Sequence, residues 1–190
     1  MNLRDVWLMF VRYLSLVVLS ISNLSIFYFI FTPLTLYGSY FLLGLIYPGA
    51  IMHSLNSATI QIGEDFIQLV QACTAGAAYY FLLILNLSTP MSVKTRIKSI
   101  FFLFSSFLAL NIIRIIIFTI LFIQGYSYFD IAHKMVWYFG STVMLLIVWF
   151  VNIKLLNILS VPVYTDIKTI LDDIRIKKYG GQKTNIKIPK

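Results

Sequence analysis

Scarcities in this chain close off several classes of function. There is one cysteine, Cys73, so no intrachain disulfide can form. One cysteine with two histidines also falls short of a zinc framework, and no metal or other cofactor is expected. Charged residues make up only 12% of the 190, against roughly 25% in a soluble domain. Acidic residues are the scarcer sign, seven against fifteen basic ones, for a net charge of +8. Seven of those fifteen fall between Lys168 and Lys190, a basic tail suited to an anionic lipid surface. No nucleic-acid motif accompanies it, so membrane lipid rather than nucleic acid is the expected partner.

What is abundant is apolar: 59% of the residues, arranged in long runs. Four blocks approach the ~20 residues that cross about 30 Å of hydrocarbon: Leu14–Phe31, Ala72–Thr89, Ile100–Ile123 and Met135–Leu156. The first is too long for a signal-peptide core and has no small-residue cleavage site after it, so a retained helix is expected. A fifth block, Leu34–Met52, contains Gly38, Gly44, Pro48 and Gly49. It is either a fifth span or a re-entrant or interfacial segment. The expected fold is therefore an all-α multi-pass membrane bundle. Residues 1–160 form the membrane-embedded core and 161–190 a basic cytoplasmic tail.

Basic residues set the orientation. Lys94, Arg96 and Lys98 place the loop Ser88–Ser99 in the cytoplasm, together with the tail from Val161. The segment Gln124–Lys134 and Cys73 then lie on the outer side. Arg4 and Arg12 favour a cytoplasmic N-terminus, which leaves room for one crossing before Cys73. Ala58–Ile62 and Phe66–Val70, joined at Gly63-Glu64-Asp65, predict a short extracytoplasmic β-hairpin. It must sit outside hydrocarbon, where an open sheet edge cannot be satisfied. In the tail, Ile167, Ile170, Leu171 and Ile174 share one helix face opposite Lys168, Asp172, Asp173 and Arg175, predicting a helix lying on the inner leaflet.

Arg114 is the most informative residue, an arginine inside the apolar run Leu110–Ile117. Such a placement costs ~2.5–3.5 kcal/mol on insertion scales, so a function is the default expectation, with snorkelling to headgroups as the bland alternative. It stands fifteen residues beyond Ser99, about 22 Å along a helix, in the outer half of the bilayer. Asn111 lies one turn below on the same face. Cys73 begins a helix, a position that favours the reactive thiolate, although a lone cysteine at a membrane edge is usually a small apolar filler. Thr74 and Gly76 follow it and leave backbone open to a substrate or oxyanion. His133 stands at the outer start of the last helix and is the natural proton carrier near neutral pH. His53, before the hairpin, competes for that role. A nucleophile, a fixed cation and a proton carrier on one side of the membrane make an acyl-transfer set.

The ordered set resembles the exosortase/archaeosortase family: a hairpin-like segment leading into Ala72-Cys73-Thr74-Ala75-Gly76, then Asn111-Ile112-Ile113-Arg114, then His133. The match spans roughly Leu34 to Leu156. It departs at Ala75, which stands where the family often has glycine directly after Ser or Thr. The resemblance implies a plasma-membrane cysteine transpeptidase with Cys73, Arg114 and His133 as its catalytic residues. Its substrates would be secreted proteins ending in a short motif, one membrane helix and a basic tail. It would cleave them through a thioester and transfer them to a lipid or surface amine. Two alternatives remain: simple hydrolysis with water as acceptor, and a non-enzymatic transporter subunit or scaffold in which Arg114 binds an anion.

Overall fold

The computed structural model describes residues 24–54 and 57–158 and, before them, Trp7, Phe10, Val11, Leu14 and Val17, all five helical and exposed. The basic tail, with its expected amphipathic helix over Ile167–Ile174, lies outside the described residues, as does part of the expected span Leu14–Phe31.

The described fold is mostly helical with one small sheet. The chain runs through α1 (Ser25–Ile46), β1 (Ile51–Ser54), β2 (Thr59–Ile62), β3 (Asp65–Gln68), α2 (Gln71–Thr74), α3 (Gly76–Ser88), α4 (Val93–Ile123) and α5 (Phe129–Met135). A π-helical turn over Val136–Gly140 then joins α5 to α6 (Ser141–Leu155).

Three helical runs are long and apolar enough to cross a membrane: Ser25–Ile46, Val93–Ile123 and Phe129–Leu155. Their outward surfaces carry Phe29, Phe41, Leu45, Phe101, Ile117 and Phe150, all exposed. Large apolar side chains exposed in such numbers are what lipid, not water, accommodates. The block boundaries differ from expectation in the first, fourth and fifth blocks. Leu24 adopts a left-handed conformation at φ 59° and starts α1 inside the first expected block. The helix then runs through Pro33 without stopping and ends at Ile46, just before Pro48-Gly49. The residues Ile51–Ser54, partly counted within the fifth block, are instead a third strand. The fourth expected span, Ala72–Thr89, is divided by Ala75, and its longer part, α3, has 13 residues, or about 20 Å.

The sheet has the antiparallel order β1-β2-β3. Gly63, at φ 63°, supplies the positive φ that a two-residue Gly63-Glu64 loop needs at its first position. Ile60 and Ile62 alternate onto one face and are buried with Leu36 and Leu43 of α1 and Ile115 and Ile116 of α4. The sheet therefore caps one end of the bundle. A second core lies deeper between helices, where Phe31 stacks on Tyr79 at 3.6 Å and Phe104 and Phe107 meet Tyr79 edge-on.

Polar locks hold the opposite end. Asn86 of α3 and Asn152 of α6 both donate from Nδ2 to Ser99 Oγ of α4, at 2.6 and 2.9 Å, and all three residues are buried. Arg96 donates to the carbonyls of Asn86 (2.7 Å) and Thr89 (3.0 Å), placing a cation on the C-terminus of α3. Ser92 caps α4 by accepting from the Thr95 amide.

Candidate active site

Cys73 sits on α2, a single helical turn that follows β3 almost at once. The turn ends because Ala75 takes a left-handed conformation, φ 56°, ψ 39°. For a residue with a Cβ that region costs ~1–2 kcal/mol. The break has a specific consequence. In an unbroken helix the Cys73 carbonyl would accept the amide of Ala77. Here it instead accepts from the Asn111 side chain (Nδ2, 2.8 Å) and from Arg114 (Nη2, 3.4 Å). Asn111 and Arg114, one turn apart on α4, thus converge on the peptide unit of the one cysteine. Asn111 is fully buried, so this hydrogen bond is made away from water.

The second arm of Arg114, Nη1, donates to Ser141 Oγ at 2.6 Å. The guanidinium therefore bridges α4, the Cys73 carbonyl and the first residue of α6. Ser141 went unnoticed in the sequence. The one available signal was a polar Ser141-Thr142 pair after Gly140 inside an apolar run. It follows directly on the π-helical turn, a feature frequent beside functional sites.

His133, on α5, is exposed and is positioned by aromatic rings. It stacks on Phe129 at 5.5 Å and 13° and meets Phe118 at 5.2 Å and 65°. Cys73, Arg114 and His133 together line a cavity of about 210 Å³. Its remaining walls are Phe66–Leu69 on one side and residues of α4 and α5, including Phe118, Thr119 and Phe129, on the other. A second cavity of about 220 Å³ shares Cys73, Arg114, Phe118 and His133 and continues along Val70, Ala72, Val136 and Trp137. The three residues thus stand where two clefts meet. His53 lines neither cleft, and its Nε2 lies 2.6 Å from Gln61 Oε1 on the sheet.

Thr74 and Gly76 face the other way. Thr74 is buried, with its hydroxyl 3.4 Å from that of Thr32 on α1. The space above Gly76, expected to be open to substrate, is filled by the Tyr28 ring. A Cβ there would come within 2.7 Å of Tyr28 Cε1. Glycine lets the Tyr28 ring pack this closely, and a Cβ would force the ring or the helix to shift. Among the described residues no group of His, Cys, Asp and Glu could hold a metal ion.

The described residues thus form an apolar helical bundle of membrane type in which a half-buried cysteine, an arginine and a histidine line the same cavity. Comparison of the chain with known proteins finds no matching family model, no matching curated protein and no matching solved structure.

Proposed function

We propose that the chain is a membrane-embedded cysteine transpeptidase similar to the exosortase/archaeosortase family. It would act on secreted proteins with a C-terminal motif, membrane helix and basic tail. The observation that carries this is that Cys73, Arg114 and His133, contributed by three separate helices, line the same clefts. His133 takes the thiol proton as Cys73 Sγ attacks the scissile carbonyl. The tetrahedral centre collapses, the C–N bond breaks, and His133 returns the proton to the departing amine. An amine on a lipid or surface acceptor then attacks the thioester and releases the thiol. Arg114 supplies a fixed charge beside the sulfur in a partly dry setting, where it stabilises developing negative charge more strongly than in water. The alternative of an anion-binding scaffold fits less well, because both arms of Arg114 are already engaged within the chain.

The bundle would cross the plasma membrane four times: Ser25–Ile46 outward, α3 inward, Val93–Ile123 outward and Phe129–Leu155 inward. The sheet and the clefts then face the extracytoplasmic side. Lys94, Arg96, Lys98 and Lys154 fall on the cytoplasmic side, as the positive-inside rule requires.

The test is Cys73→Ala in membranes presenting a sorting-signal substrate. The variant is expected to accumulate to wild-type level and to process nothing. Normal processing by a stable Cys73→Ala protein would exclude a cysteine mechanism.

A further inference from the structure

The cleft beside Cys73 has a wall that the catalytic residues do not account for. Four consecutive residues, Phe66, Ile67, Gln68 and Leu69, line it. A sheet face would contribute every second residue, whereas consecutive residues are what a strand edge presents. β3 is an edge strand, paired only with β2 in the order β1-β2-β3.

The register determines which backbone groups that edge offers. Ile62 pairs with Asp65, Gln61 with Phe66, Ile60 with Ile67 and Thr59 with Gln68. The Leu69 amide donates to the Ala58 carbonyl at 2.9 Å, so Leu69 points its backbone toward β2. Backbone direction alternates along an antiparallel strand, so Ile67 and Asp65 also point toward β2. Phe66 and Gln68 therefore turn their N–H and C=O groups away from β2, and both residues line the cleft that also holds Cys73, Arg114 and His133.

We infer that this edge is the substrate-docking strand. An extended peptide segment pairs with Phe66 and Gln68 as a fourth strand in the trench between β3 and the helices α4 and α5. The inference rests on the transpeptidase proposal for the identity of the nucleophile. The geometry favours a peptide over a lipid chain, because two outward-facing N–H and C=O sets call for a partner with alternating acceptors and donors. The path also ends at the reacting atom, since β3 passes through Leu69-Val70 directly into the turn carrying Cys73. Recognition of this kind reads the substrate main chain. The alternate side chains of the bound segment reach Phe118, Phe122 and Phe129, which would set an apolar or aromatic preference.

Cys73, the only cysteine, makes the test direct. Full-length protein in membranes is treated with a pool of N-acetyl tetrapeptidyl chloromethyl ketones of mixed side chains. Chloroacetone and decanoyl chloromethyl ketone serve as a small and a lipid-like control. Alkylation of Cys73 is followed by mass, with each rate normalised to free thiol. The peptidyl pool is expected to react about tenfold or more faster than chloroacetone, since two or more backbone hydrogen bonds hold it in place. N-methylating the probe amides should bring the two rates together with the protein unchanged. Gln68→Pro removes an outward N–H without touching the pairing to β2, and should lower the peptidyl-to-chloroacetone ratio toward one. No peptide preference, an undiminished preference with N-methylated probes, or a decanoyl probe faster than the peptides would each overturn the docking strand while leaving the nucleophile standing. A Cys73 inert even to chloroacetone would overturn the transpeptidase proposal and this inference together.

Discussion

Arg114→Lys separates a shaped cation from a mere charge. The guanidinium reaches two partners in different directions, Ser141 Oγ at 2.6 Å and the Cys73 carbonyl at 3.4 Å. An ammonium is a compact point charge and cannot serve both from one position. Lysine therefore gives up at least one hydrogen bond from a charged donor, worth about 1.5–3 kcal/mol. If the lost contact fixes the geometry of the transition state, the rate falls by roughly 10–150-fold at about 1.4 kcal/mol per decade. Asn111 still holds the Cys73 carbonyl at 2.8 Å, so the fold and the cysteine loop should survive. The assay compares processing of a sorting-signal substrate by membranes holding equal amounts of wild type, Arg114→Lys, Ser141→Ala and Arg4→Lys. Ser141→Ala removes the same arm from the other end and should lose activity to a similar degree. Arg4→Lys should be unaffected. Near wild-type activity in Arg114→Lys would refute the shaped-cation role and leave Arg114 as a helix anchor. A dead Arg114→Lys beside a fully active Ser141→Ala would show that the bridge to α6 is not what matters.

Further expectations follow from packing and topology. Gly76→Ala drives a Cβ into the Tyr28 ring at 2.7 Å and should destabilise the protein by about 1–3 kcal/mol, measured by thermal unfolding in detergent. The same change in a Tyr28→Ala background should cost much less, and an equal cost there would refute the clash. Ala75→Gly relieves the positive φ and should unfold no earlier than wild type, while Ala75→Val should unfold clearly earlier; the reverse order would mean that position 75 is not left-handed in the protein. A reporter fused after Lys190 should read as cytoplasmic, and an extracytoplasmic signal would invert the proposed topology and put Cys73 on the wrong side.

Different features were legible in the sequence for different physical reasons. Apolar length made the helices Val93–Ile123 and Phe129–Leu155 visible, whereas α1 joins parts of two expected blocks across Pro33, where the sequence suggested a break. The β2–β3 hairpin was visible through β-branched residues around Gly63. Strand β1 was not, because Ile51–Ser54 continues an apolar stretch and only Pro48-Gly49 marks the change. The meeting of Asn111, Arg114 and Cys73 was approachable from the i, i+3 spacing on α4 and the rarity of arginine in apolar helices. The role of Gly76 was not legible. The ring that fills its space comes from Tyr28, forty-eight positions earlier, and nothing local announces a contact at that separation. Ser141 was hidden for the same reason, since its partner lies on another helix.

Ala75 ties these observations together. A left-handed residue with a Cβ is disfavoured, and one that persists must be held by its surroundings. Here the surroundings are identifiable. Below the break, Gly76 lets Tyr28 close onto α3, and Thr74 is buried against Thr32. Above it, the carbonyl of Cys73, released from the helix, is met by a buried amide and a guanidinium. Straightening the helix at Ala75 would return that carbonyl to Ala77 and leave the Asn111 amide without its partner in a buried position, a cost of about 1–3 kcal/mol. That loss is comparable to the strain it would relieve. The kink and the polar pair on α4 therefore stabilise each other, and together they hold the thiol at the mouth of two clefts instead of within a continuous helix wall. It follows that Asn111 is first a positioning residue for the cysteine, and that Arg114 joins the geometry of Cys73 to the helix that follows His133.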